Sequence, residues 1–280
     1  MMTYLSVTQP YNWSMVHAFL TRRAIAGIEE CGEYHYARYF DETDFYAVSG
    51  LSHVSNEGLT SSWFCATYEP EAQRFAVQLS LQNEACREAV LANIARVLDA
   101  QQDPNTIAQA LTKAGFTPEH MTFGLRLPAT WSPFEALIRA IVGQQISVNG
   151  AVKILNQWIG SLREEANGYR HFPSATEIAC CDTSKLPMPK ARQATLNLAA
   201  EAVQAKPLHD SQTIQDLLKI KGIGPWTVNY VLMRGISHPD IFLDNDLVVK
   251  NQLARFALTP ELAKPWRSYV CIQLWEHAST

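Results

Sequence analysis

Long apolar runs, paired cysteines, clustered histidines and an excess of positive charge are all missing from this chain. No stretch approaches the length of a membrane span and no signal-like segment opens the sequence, so a cytoplasmic protein is expected. Cys31, Cys65, Cys86, Cys180, Cys181 and Cys271 show no CxxC spacing, which argues against a thiolate metal centre and leaves small buried hydrophobes in a reducing compartment. His17, His35, His53, His120, His171, His209, His238 and His277 stand apart, with none at ligand spacing from another. Repeats and low-complexity tracts are absent as well. The net charge of −4 gives no global attraction to a polyanion, so nucleic acid would have to be held by local features.

What is present is core material: 280 residues, 47% of them hydrophobic, enough for two or three domains. Residues 10–27 carry Met15, Val16, Phe19, Leu20 and Ile25 on one helical face, with Arg22 and Arg23 outside it. Residues 34–40, 45–54, 62–68 and 75–81 are short, aromatic and β-branched, which predicts antiparallel strands. Asp41, Gly50, Asn56-Glu57-Gly58 and Glu69-Pro70 supply their turns. Beyond Asn83 the period is helical, over 85–98, 105–114, 134–142, 146–162, 174–181 and 190–203, and residues 164–171 read as an exposed polar loop. The expected class is α+β, an antiparallel sheet domain with helices followed by an all-α part. Its expected divisions are 1–84 for the sheet, 85–123 for helices completing the C-terminal helical part, 124–235 for a helical domain, and 236–280 for a C-terminal segment.

The residues with most chemistry lie between Leu218 and Lys250. In Lys221-Gly222-Ile223-Gly224-Pro225 both glycines can adopt positive φ cheaply, and Pro225 suits the first turn of a new helix. Leu217 and Leu218 precede this turn and Val228, Val231 and Leu232 follow it at helical spacing, which makes a helix-hairpin-helix. Free amides at the start of the second helix, beside Lys219 and Lys221, suit a phosphate backbone. Asp246 comes next, placed to cap a short helix through Leu247, Val248, Val249 and Leu253. A carboxylate there is kept ionised by the helix dipole and can face a developing cation.

The runs GIGPWTVNY, FLDND and KPWRSY, with GLRLP and RAIVGQQIS upstream and PYNW near the N-terminus, resemble the helix-hairpin-helix DNA glycosylases, and among them the bacterial 3-methyladenine DNA glycosylase II family. The resemblance implies a monofunctional hydrolase of base excision repair that flips alkylated bases from double-stranded DNA, cuts the N-glycosidic bond and leaves an abasic site. It puts the catalytic aspartate at Asp246, with Asp244 an additional carboxylate of lower rank, and a base pocket at Trp226, Tyr230, Trp275 and Phe19. It puts the DNA wedge at Gln145 and backbone contacts at Lys219, Lys221, Gly222 and Gly224. No organic cofactor or certain metal is implied, only a monovalent cation on hairpin carbonyls near residues 218–223, and no obligate protein partner. The chain departs from the family pattern at Gln145 and Leu247, where a leucine and a tyrosine stand in relatives. Trp226 occupies the place of the Schiff-base lysine in lyase members, and only Cys271 follows Asp246, so the iron-sulfur cluster of another branch has no ligands here. Two rival readings are a non-catalytic DNA-binding protein and a glycosylase for another lesion such as hypoxanthine. A monomer is expected, since one lesion on one duplex needs no two-fold symmetry.

Overall fold

Alternation in residues 62–69 sets the middle of an antiparallel sheet: Phe64, Ala66 and Tyr68 are buried while Trp63, Cys65 and Thr67 are not. The computed structural model describes residues 2–46, 62–162 and 171–278. Its strands are β1 (Met2–Ser6), β2 (Glu29–Gly32), β3 (His35–Phe40), β4 (Ser62–Glu69) and β5 (Arg74–Ser80), in the order β1-β5-β4-β3-β2. Helix α1 (Trp13–Thr21) lays Trp13 against Tyr68, rings stacked at 5.9 Å, and Trp131 stacks on Phe64 at 5.4 Å. These aromatic contacts tie the sheet to the helical part, and the buried apolar residues form one cluster reaching from Val7 to Leu274.

The sheet differs from expectation at its ends. Residues 43–46 begin no strand; Asp41 accepts from the Thr43 amide at 2.9 Å and starts the short helix α2 (Thr43–Tyr46). The rest of the 45–54 strand, Gly50 and Asn56-Glu57-Gly58 lie outside the described residues, as does the 164–171 loop except His171. β1 and β2 were not anticipated, because a five-residue and a four-residue edge strand owe their conformation to pairing with β5 and β3.

Helices follow the predicted order: α3 (Arg87–Val97), α4 (Pro104–Ala114), α5 (Pro133–Gly143), α6 (Val148–Leu162), α7 (Ala175–Cys180), α8 (Lys190–Ala205), α9 (Ser211–Gln215), α10 (Pro225–Gly235), α11 (Leu247–Leu253) and α12 (Arg267–His277). Cap chemistry sets several ends; Ser132 accepts from the Glu135 amide at the start of α5, with Pro133 in the first turn. α10 crosses α5 so closely that a Cβ on Gly235 would sit 2.8 Å from Pro133 Cα. This crossing brings the hairpin helix beside the turn that follows α5. All six cysteines are free; Cys86 and Cys271 are buried as expected, whereas Cys180 is exposed. Among the described residues no helix is long and apolar enough to cross a membrane.

Candidate active site

The hairpin enters through α9 and a 3-10 turn, Asp216–Lys219, before reaching its glycines. The tighter turn buries Leu217 and rotates Leu218 outward, leaving it 46% exposed. Only one of the two glycines takes positive φ. Gly222 does, at 92°, and a Cβ there would lie 2.1 Å from Thr195 Oγ1; Gly224 is extended, at −109°, with nothing within 4 Å of its Cβ position. Gly222 therefore makes the turn, while Gly224 leaves an open face at the start of α10. The amides of Trp226 and Thr227 sit in that first turn, where no intrahelical acceptor exists. Lys221 is exposed beside them; Lys219 is also exposed but pairs with Asp216 at 2.7 Å.

Asp246 lies at the N-cap of α11, as its position before the apolar run suggests. Its Oδ1 accepts from the Val249 amide at 3.0 Å and from Trp275 Nε1 at 3.2 Å, while Oδ2 accepts from Trp226 Nε1 at 3.1 Å. The donors come from α11, α12 and α10, so three helices orient one carboxylate. All three donors are neutral, and among the described residues no cation pairs with it. Hydrogen bonds hold its geometry while its charge stays uncompensated.

A cavity of about 990 Å³ opens at this carboxylate. Trp226 and Tyr230 face each other at 5.4 Å and Tyr230 and Trp275 at 6.4 Å, forming an aromatic wall. Phe19 does not join that wall. It is fully buried behind the cavity, stacked on Trp275 at 6.3 Å, because its helix face packs into the core beneath the arginines of the floor. Gln145 is exposed at the mouth in a left-handed conformation, φ 60°, and Ile146, Leu247 and Val248 add an exposed apolar rim. Gln144 donates to the Gly222 carbonyl at 3.4 Å and to Thr227 Oγ1 at 3.1 Å, linking the turn that carries Gln145 to the hairpin. Asp244 is exposed, accepts from Asn245 at 3.1 Å and does not line the cavity.

The floor carries charges that the sequence pattern did not reveal. Arg139 bonds Glu29 at 2.5 Å and Glu135 at 2.7 Å, and Arg38 of β3 bonds Glu135 and reaches Glu29 at 3.3 Å. Burial pushes the Glu29 carboxyl up, but Arg139 and Arg38 outweigh it and hold it below the ordinary range. Arg23, expected outside its helix, is turned inward with its guanidinium 3.7 Å over Phe19. Arg234 also lines the floor; the visible signal was an arginine inside the apolar run from Val231 to Gly235.

Residues 2–132 match the AlkA N-terminal domain. The chain is 30% identical to DNA-3-methyladenine glycosylase 2 of Escherichia coli K12, over 95% of this chain and 94% of that protein. The chain belongs to this DNA glycosylase family. A DNA-3-methyladenine glycosylase of Bacillus subtilis is 28% identical over 56% of this chain and 61% of its own length. Among solved structures, the 3-methyladenine DNA glycosylase of Archaeoglobus fulgidus superposes with a TM-score of 0.76 at 18% identity, covering 99% of this chain and 98% of that one. The 8-oxoguanine glycosylase/lyase of Clostridium acetobutylicum bound to double-stranded DNA gives 0.56 at 13% identity, over 91% and 99%. Those two likenesses establish the helix-hairpin-helix glycosylase fold.

Proposed function

We propose that this DNA glycosylase is monofunctional, flips alkylated purines such as 3-methyladenine and 7-methylguanine into the cavity, and hydrolyses their glycosidic bond. The observation that carries this reading is Asp246, an unpaired carboxylate held between the indoles of Trp226 and Trp275 at the mouth of an aromatic cavity. A purine alkylated at N3 or N7 carries positive charge, and electron-rich rings attract it by roughly 0.5–2 kcal/mol per contact. As the C1′–N bond breaks, positive charge passes to the sugar, where Asp246 stabilises it or orients the water that captures it. Among the described residues no lysine lines the cavity, which agrees with hydrolysis in place of a Schiff base.

The hairpin is the proposed clamp on the DNA backbone. Gly224, the first-turn amides and Lys221 supply its donors, with Lys219 contributing once released from Asp216. Gln145 is the proposed wedge for the gap left by the flipped nucleotide, with Ile146 beside it. A monovalent cation shared between hairpin carbonyls of residues 218–223 and a phosphate belongs to the same proposal; of these carbonyls, that of Lys221 accepts from Thr195 and that of Gly222 from Gln144. The protein is proposed to act as a cytoplasmic monomer. The test is a duplex with one 7-methylguanine, followed for free base and for strand integrity before and after alkali. Release with scission only after alkali is expected; scission without alkali contradicts the monofunctional reading, and no release contradicts the enzyme.

A further inference from the structure

A glutamine is an awkward side chain with which to fill a gap in a base stack. Its carboxamide has two N–H donors and an acceptor oxygen, and once a duplex covers it, each of these left without a partner is costly. Gln145 is exposed at the cavity mouth at φ 60°, and two anchors hold it there. Gln144, just before it, is tied to the Gly222 carbonyl and to Thr227 of α10. The second anchor is α8, whose Arg192 directs Nη2 at Gln145 Oε1, 3.5 Å away. α8 is itself docked on the hairpin, because Thr195 Oγ1 donates to the Lys221 carbonyl at 3.2 Å. Arg192 lies three residues before Thr195, on the same helix face. Helix stability does not account for this arginine: it sits in the first turn of α8, where a cation opposes the helix dipole and no acidic residue offsets it. It is half-buried, and among the described residues no carboxylate pairs with it. A guanidinium only donates, so the contact fixes one orientation of the carboxamide, with the oxygen toward Arg192 and the NH2 away from it.

We propose that Arg192 is a positioning residue for nucleotide flipping: it holds the carboxamide oxygen of Gln145 and so turns the Gln145 NH2 toward the base that flipping leaves without a partner. The inference rests on the reading of Gln145 as the wedge. The base opposite an alkylated adenine or guanine is a thymine or a cytosine, and both carry a carbonyl acceptor on the edge that flipping exposes. In the free protein the Arg192 contact is open to water and weak, whereas under a duplex that excludes water it strengthens. Gln145 then fills the gap with both its oxygen and its amide engaged.

The test is a cycle of variants followed by single-turnover release of 7-methylguanine at saturating enzyme, with duplex affinity measured beside it. Arg192→Met is expected to slow release roughly three- to tenfold, and Arg192→Lys, which still donates, to recover most of that loss. In a Gln145→Leu background, where the side chain needs no hydrogen-bond partner, the same Arg192→Met change should alter release by less than about twofold. Equal losses in the two backgrounds overturn the proposal, since support of the fold or contact with a phosphate would not depend on the side chain at position 145. Release by Arg192→Met at the wild-type rate overturns it as well. Gln145→Gly tests the wedge itself, because glycine adopts positive φ without strain. Its release at the wild-type rate contradicts the wedge reading, whereas slow release beside an unaffected Arg192→Met removes the inference alone.

Discussion

The mouth and the floor of the cavity use the same residue types to opposite ends. At the floor, Glu29 and Glu135 meet Arg38 and Arg139, so buried carboxylates are neutralised by buried cations and join the sheet to α5. At the mouth, Asp246 meets only neutral N–H groups, from Trp226, Trp275 and Val249. Its geometry is fixed, and among the described residues no cation pairs with it. Charge that the protein compensates holds structure together, and charge that it positions without compensating is available to a substrate.

Breaking the floor should have the largest effect on stability. Glu135→Leu leaves Arg38 and Arg139 short of a buried partner, and a loss of about 3–5 kcal/mol in denaturant unfolding is expected. The hairpin glycines divide in the same manner. Gly222→Ala forces a Cβ onto Thr195 at positive φ and should cost roughly 1–3 kcal/mol, whereas Gly224→Ala should leave stability within about 0.5 kcal/mol and weaken duplex affinity. Equal unfolding midpoints for the two variants would contradict this division. At the mouth, Trp275→Phe removes one donor from Asp246 and retains a ring; excision should fall about tenfold in single-turnover assays with little change in melting temperature.

A fourth carboxylate sharpens the contrast with a smaller effect. Asp99 accepts from the Leu127 amide and Tyr269 Oη, at 2.8 and 2.9 Å, and burial pushes its carboxyl up to about 7. Because the folded value lies above the unfolded one, its contribution is fully present below about pH 4 and is lost as pH rises through about 7. The melting-temperature lead of wild type over Asp99→Asn should therefore shrink between about pH 5 and about pH 8, and a lead that grows with pH would contradict the assignment.

Much of this was legible in the sequence where the cause is local. Gly222, Pro225 and the N-cap position of Asp246 write the hairpin and α11 into one short stretch of chain, where each signal lies at the boundary it sets. The floor was not legible, because Arg38 and Glu135 are 97 positions apart and nothing in either neighbourhood marks the other as partner. Arg23 reads as a solvent residue at the end of a helix until Phe19 and Trp275 are seen beneath it. Phe19 itself has the apolar spacing shared by core and pocket residues, and only packing separates the two. β1 escapes for a similar reason: its residues become a strand by pairing with β5, far along the chain.

The most direct measurement is single-turnover release of 7-methylguanine by Asp246→Asn beside wild type, with duplex affinity measured for both. Asparagine keeps the shape and an oxygen for the indoles but removes the charge. A loss of at least about 100-fold in release with affinity retained is the predicted result. Release within a few-fold of wild type would contradict the central claim that the uncompensated carboxylate of Asp246 carries the reaction.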